Sequence, residues 1–175
     1  MTPTLVKYVG SKAGFLEDHA GLLPMPAPGG AVAVTFTGGG SIAAHYRARG
    51  CRVIASDINP RLIGAHVEIQ RDVDLVIGSL NWITDAWRKA IDGLEGDERD
   101  AAGRGFFETH RAALSAGTGG EGYKHSAFAA ARFLFILRAG FNGLYRENST
   151  GDCTTAYGKP GPGVEHDQTD KQHAN

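Results

Sequence analysis

The chain has 175 residues, which suits one domain, and 42% of them are hydrophobic, enough for a packed core. The 18 Lys and Arg residues against 19 Asp and Glu leave a formal net charge of -1. That excludes binding of nucleic acid through bulk positive charge, so any DNA contact must be local or supplied partly by another polypeptide. No apolar run approaches membrane-spanning length. The N-terminus, MTPTLVKYVGSKAGF, lacks the apolar block of a secretory signal. Cys51 and Cys153 are far apart and form no CxxC pattern, which argues against a disulfide framework and against a zinc site. A cytoplasmic protein with no membrane and no metal partner is expected.

In chain order, KYVGSK (residues 7–12) comes first, a basic-aromatic-glycine-lysine cluster ahead of the first strand. Tyr8 suits stacking on or edging a cofactor, and Lys12 suits a carboxylate. AVAVTF (31–36) is a short apolar, β-branched run bounded by glycine and predicts a buried strand. SIAAHYRAR follows as a helix, with Ser41 as its cap and Gly50 as its stop. CRVIAS (51–56) predicts a second strand ending in Asp57, and Asn59 with Pro60 opens the next helix as cap and first-turn residue. Strand, glycine turn, helix, strand and acid in this order begin a doubly wound α/β sheet.

The pattern then becomes helical. Val73, Val76, Ile77, Leu80, Ile83 and Trp87 fall at steps of three and four and predict one packed helix face. Residues 93–103 are charged and contain glycine, which predicts a loop; 106–114 and 126–139 predict two more helices. The second of these is apolar nearly all round and should be buried between other elements. Residues 117–122 read as a glycine-rich break. A Gly/Asn-rich loop carrying aromatics and arginine runs from about 140 to 160, and the polar stretch 160–175 is expected to be a disordered tail.

Besides KYVGSK, two segments carry chemistry in their own residues. In FTGGGSIA (36–43), Gly38 and Gly40 permit a tight turn and close ligand approach, Ala43 takes the third slot of G-x-G-x-x-G/A, and Asp57 lies about twenty residues on. This is an adenosine-cofactor signal that does not separate NAD from S-adenosylmethionine. In FNGLYREN (141–148), Asn142 and Arg146 offer donors for base edges and phosphates, while Phe141 and Leu144 are of a size to wedge into a base stack.

Taken together, KYVGSK, FTGGGS, SDINPRLI and FNGLYRENSTGDCTTAYGK resemble, in that order, the Dam-like family of adenine-specific DNA methyltransferases. The resemblance spans roughly residues 5–160, and its last block is the most specific. It implies an α/β chain with a partial Rossmann-like S-adenosylmethionine-dependent methyltransferase fold and a helical target-recognition region. Residues 1–60 would be the N-terminal part of the cofactor domain and 61–159 the recognition region. It implies that Tyr8, Lys12, Phe36, Gly38, Gly40, Asp57 and Ile58 contact the cofactor, with Asp57 on the ribose and Ile58 beside the adenine. Lys7, Phe141, Asn142, Leu144 and Arg146 would contact double-stranded DNA.

The chain departs from the family pattern in three places. The usual E-P-F of the first strand reads Val34-Thr35-Phe36, and N-V-P-(F/Y)-G reads Thr154-Thr155-Ala156-Tyr157-Gly158. The (N/D/S)-P-P-(Y/F/W) motif, which holds the exocyclic amine of a flipped adenine and stacks on its ring, does not occur in the 175 residues. Two strands alone would also leave sheet edges and apolar faces open. The expectation is a truncated or split methyltransferase that is inactive alone, with a second chain as a candidate source of the missing half. An NAD-binding oxidoreductase and a non-catalytic DNA-binding remnant are the competing readings. Neither KYVGSK nor FNGLYREN has a role in the first of these.

Overall fold

A computed structural model describes residues 6–115 and 125–159. The expected glycine-rich break at 117–122 and the expected tail from 160 lie outside the described residues. The described residues mix helices with a small parallel sheet, an α/β composition. Helix α1 (Ala13–His19) and a 3₁₀ turn (Ala20–Leu22) lead into strand β1 (Ala31–Val34), helix α2 (Ser41–Arg47) and strand β2 (Arg52–Ala55). Four longer helices follow: α3 (Pro60–Arg71), α4 (Val73–Ile91), α5 (Gly96–Ser115) and α6 (Ala127–Ala139). A second 3₁₀ turn, Phe141–Gly143, opens the closing loop. Among the described residues no helix is long and apolar enough to cross a membrane.

The strands pair in parallel, Ala31 opposite Arg52 through Val34 opposite Ala55. Hydrogen bonds extend the ladder past both strands, from Ser56 N to the Val34 carbonyl (2.9 Å) and from Thr37 N to the Ser56 carbonyl (3.0 Å). The expectation of a buried first strand is corrected. Val34 alone is buried in β1, and Ile54 in β2 is 56% exposed. The reason is coverage. The strands share a small cluster with α2, built on Val34, Tyr46 and Cys51, and among the described residues no other strand pairs with either edge. A sheet this narrow cannot enclose its own apolar residues.

Local capping follows the sequence at α3, where the Asn59 side chain accepts from Arg61 N and Leu62 N and Pro60 takes the first turn. It does not at α2. Ser41 is the first helical residue, and the cap position belongs to Gly40, at φ 86°. Ser41 Oγ instead meets Ser11 Oγ at 3.1 Å, tying the N-terminal segment to the helix.

The main core lies among α3–α6. Helix α6 packs against α3, α4 and α5, and Phe133, Phe135, Ile136 and Leu137 are all buried, as its all-round apolarity predicts. The stripe on α4 is shifted from the expected one. Val76, Ile83, Trp87 and Ile91 are buried, whereas Val73 and Ile77 are 46% and 49% exposed. Spacings of 7, 4 and 4 follow the helical period toward α6, and the two N-terminal residues fall to its flank.

Residues 96–103 form the first half of α5 and not the predicted loop. Their charges sit on a solvated face, and Asp97 and Glu98 in the first turn favour the helix dipole. Gly103 is not a breaker there. A Cβ at this position would run into the Tyr157 hydroxyl and come within 3.3 Å of its Cζ and 3.5 Å of Trp87 Nε1, so tertiary contact selects the glycine.

Candidate functional site

A cleft of about 240 Å³ opens beyond the carboxyl ends of β1 and β2, the place where open α/β sheets take ligands. Its walls come from two stretches: Tyr8 through Lys12 on one side, and Phe36 through Gly39 with Asp57 on the other. Both oxygens of Asp57 accept backbone N–H groups, Oδ2 from Gly38 (3.0 Å) and Oδ1 from Asn59 (3.1 Å). One carboxylate thus clamps the glycine turn to the end of the second strand while lining the cleft. Gly38 has φ 50°, a conformation other residues rarely adopt. Its carbonyl accepts from His66 Nε2 at 2.8 Å.

Five of the seven expected cofactor residues, Tyr8, Lys12, Phe36, Gly38 and Asp57, meet in this cleft. Gly40 does not line it and borders a neighbouring groove of about 310 Å³ between α2, β2 and α3. Ile58 is 93% exposed and does not line the cleft; Phe36 lines it and is 87% exposed. Lys12 Nζ donates to the Gly10 carbonyl (2.9 Å) at one wall. Asn59 Nδ2 donates to the Tyr8 hydroxyl (3.3 Å). Burial, more than the nearby Asp57 and Glu147 charges, raises the Tyr8 pKa, so the phenol keeps its proton and can donate it in a hydrogen bond.

A polar adenosine-type ligand fits this lining. Thr37 is 6% exposed, and its Oγ1 is buried with no hydrogen-bond partner. A buried hydroxyl in that state is costly unless something arrives to pair with it. Sequence reasoning passed over Thr37, because its hydroxyl has meaning only once the turn is closed.

The expected DNA-contacting residues gather at a second feature. The segment after α6 doubles back on itself: Phe141 N donates to the Ala156 carbonyl (2.8 Å), Thr154 N to the Arg146 carbonyl (2.9 Å) and Gly158 N to the Ala139 carbonyl (2.9 Å). Two isolated antiparallel bridges, Gly140 with Tyr157 and Glu147 with Cys153, mark the fold-back. At its tip Asn142 adopts φ 53° and is exposed, Phe141 is 55% exposed, Leu144 is half-buried and Arg146 points to solvent. Farther along, Asn148 Oδ1 accepts from Thr150 N (3.1 Å) and Asp152 N (2.8 Å), closing a tight polar turn. The Thr150 and Asn148 side chains hydrogen-bond Asp152 and lower its pKa.

Gly158 is forced by this geometry. A Cβ there would stand 2.7 Å from the Gly140 carbonyl carbon and oxygen and 2.8 Å from Phe141 N. Gly158→Ala is expected to destabilise the chain by about 1–3 kcal/mol by overpacking against backbone that cannot yield. A denaturant melt checks this, and an unchanged midpoint would show that the fold-back is not held as described.

The N-terminal segment joins the two features. Val6 is buried in the helical core, and its N–H donates to the Gly39 carbonyl at 3.1 Å. Lys7 lies on the fold-back, since a Cβ on Gly143 would come within 3.1 Å of Lys7 Cε. Tyr8 lines the cleft. Consecutive residues therefore touch the cleft wall and the exposed turn, to which Lys7 and Arg146 contribute positive charge.

By these features the chain is an α/β protein with a ligand-sized cleft at the carboxyl ends of its parallel strands and an exposed, cationic and aromatic turn beside it. The model of the D12 class N6 adenine-specific DNA methyltransferases matches residues 8–168, and the chain belongs to that family. Its members methylate adenine in DNA and generally take the methyl group from S-adenosylmethionine. No curated protein matches the chain.

Proposed function

We propose that this chain performs the cofactor-holding and target-reading parts of site-specific adenine-N6 methylation. S-adenosylmethionine would lie in the cleft, and its sulfonium supplies an electrophilic methyl group when bound. Tyr8 and Lys12 form one wall, with Lys12 facing the carboxylate end. Phe36 and Gly38 cradle the methionine side and Asp57 takes the ribose hydroxyls, while Gly40 acts through the turn it closes with Gly38 and the exposed Ile58 would reach the adenine only where the ligand extends past the cleft lining. Residues 1–60 are then the front of a Rossmann-like cofactor domain and 61–159 the recognition region. Lys7, Phe141, Asn142, Leu144 and Arg146 engage duplex DNA, the cations on phosphates or base edges and the apolar pair against the stack. What carries this reading is the shared wall: residues 6–8 bind the glycine turn and the exposed turn at once.

Methyl transfer needs acceptors that free the lone pair of the adenine amine, and an aromatic ring to hold the flipped base. The (N/D/S)-P-P-(Y/F/W) string that provides them is absent from these residues. We infer that transfer requires that half from outside them, from a second chain or from a continuation of this one. The test is a labelled-methyl transfer assay on duplex DNA with an intact family member as control. The 175 residues are expected to bind S-adenosylmethionine, to ignore NADH, and to transfer no methyl group above background. Formation of N6-methyladenine by the chain alone would overturn the inference of a missing half. Binding of NADH without S-adenosylmethionine would overturn the whole reading.

A further inference from the structure

Arg61 plays no part in the reading above, yet it is the most deeply placed cation among the described residues, at 1% exposure. Its backbone belongs to the cofactor side, four residues after Asp57, and its N–H donates to Asn59 Oδ1 at 2.9 Å. Its side chain belongs to the other side. The guanidinium forms an ion pair with Glu147 and donates to the Gly151 carbonyl at 2.8 Å and, more distantly, to the Leu114 carbonyl at 3.5 Å. Glu147 follows directly on Arg146 and also accepts from the Tyr145 hydroxyl at 2.7 Å. Burial, and then that bond, raise the Tyr145 pKa, which keeps the donor protonated. The Tyr145 ring meets Phe133 edge-on at 5.0 Å. The backbone of Arg146 is pinned as well, its N–H donating to Thr155 Oγ1 at 3.0 Å.

We propose that Arg61 is a positioning residue for DNA recognition: through Glu147 and the Gly151 carbonyl it sets the exposed turn, and Arg146 in particular, at a fixed distance from the cofactor cleft. This deepens the functional reading and rests on it. Arg61 is buried and Glu147 reaches the surface, and an ion pair that costs desolvation of one partner is a poor source of net stability, its best attested use being to specify one arrangement over others. A planar fork that satisfies a carboxylate and a carbonyl together is suited to that use, and a lysine is not. The sequence separation of 86 residues means that the pair joins two segments that have no local reason to keep register.

The experiment measures two affinities on the full chain, for S-adenosylmethionine by calorimetry and for a short labelled duplex by fluorescence anisotropy. The proteins are the unaltered chain, Glu147→Gln, Arg61→Lys and the apolar double substitution Arg61→Met with Glu147→Leu, which removes the pair without stranding the buried charge of Arg61. In all three variants duplex affinity is expected to fall on the order of tenfold, about the worth of one well-made directional contact. Cofactor affinity should stay within about twofold, as for sites that share no partner. Tyr145→Phe, which keeps its packing on Phe133 and loses only the bond to Glu147, should show the same split at a few-fold. A parallel fall in both affinities would reduce the pair to a general structural role, and unchanged duplex binding in the apolar double variant would overturn the proposal outright. If the unaltered chain binds neither ligand, the functional reading fails first and takes this inference with it.

Discussion

Replacing Asp57 by alanine is expected to weaken S-adenosylmethionine binding by at least about a hundredfold. Two losses combine. The N–H groups of Gly38 and Asn59 lose the carboxylate acceptors they donate to, Oδ2 at 3.0 Å and Oδ1 at 3.1 Å. Bonds to an ionised acceptor contribute about 1.5–3 kcal/mol each. The glycine turn then relaxes away from the end of β2, and the ribose hydroxyls lose the acceptor proposed for them. Asp57→Asn retains one oxygen and should lose roughly tenfold, because one clamp bond survives. Calorimetric titration with the cofactor separates the two variants, and a thermal melt in its absence isolates the turn's own contribution. Cofactor affinity unaltered in Asp57→Ala would remove Asp57 from the site.

The largest effect on stability is expected at Phe133, where alanine should cost about 3–5 kcal/mol. Phe133 is fully buried on α6, the helix that packs on α3, α4 and α5. Removing the ring opens a cavity in the main core cluster. It also removes the support under Tyr145, whose ring sits 5.0 Å away, and so loosens the segment that carries Leu144 and Arg146. The melting temperature should drop by roughly 10 °C for a chain of this size, with duplex binding weakened even where the protein remains folded. Leu75→Ala is the control. That residue is 58% exposed on α4, and its loss should stay within about 0.5 kcal/mol. Equal melting shifts in the two variants would mean that the core does not centre on α6.

The order of elements was legible because local rules enforce it. Asn59 and Pro60 start α3 wherever they stand, the apolar run of α6 has no solvent face to offer, and the glycines at 38 and 40 permit a turn that other residues resist. The misjudged places share one cause. The segment 93–103 looked like a glycine-containing loop, and its Gly103 is a helical contact surface for Tyr157. Ser41 looked like a cap and holds Ser11. AVAVTF looked like a buried strand and is largely uncovered. In each case the outcome turns on what lies far along the chain, a partner for Gly103 and Ser41 and the absence of a further pairing strand among the described residues for AVAVTF.

For the KYVGSK segment and the closing loop, the residues by themselves determined what kinds of contact were on offer: a lysine and an aromatic near the N-terminus, a clustered Phe, Asn, Leu and Arg near the other end, and an acid about twenty residues beyond a glycine turn. The family could be read from their order, since each motif is a short stretch with its own chemistry. Only the tertiary structure decided that these stretches meet: that Lys7 lies on the turn while Tyr8 lines the cleft, and that Arg61 reaches across 86 positions to Glu147. Local propensity acts over a few residues, whereas a long-range ion pair or a ring against a glycine depends on packing from the whole fold, which no single stretch of sequence contains.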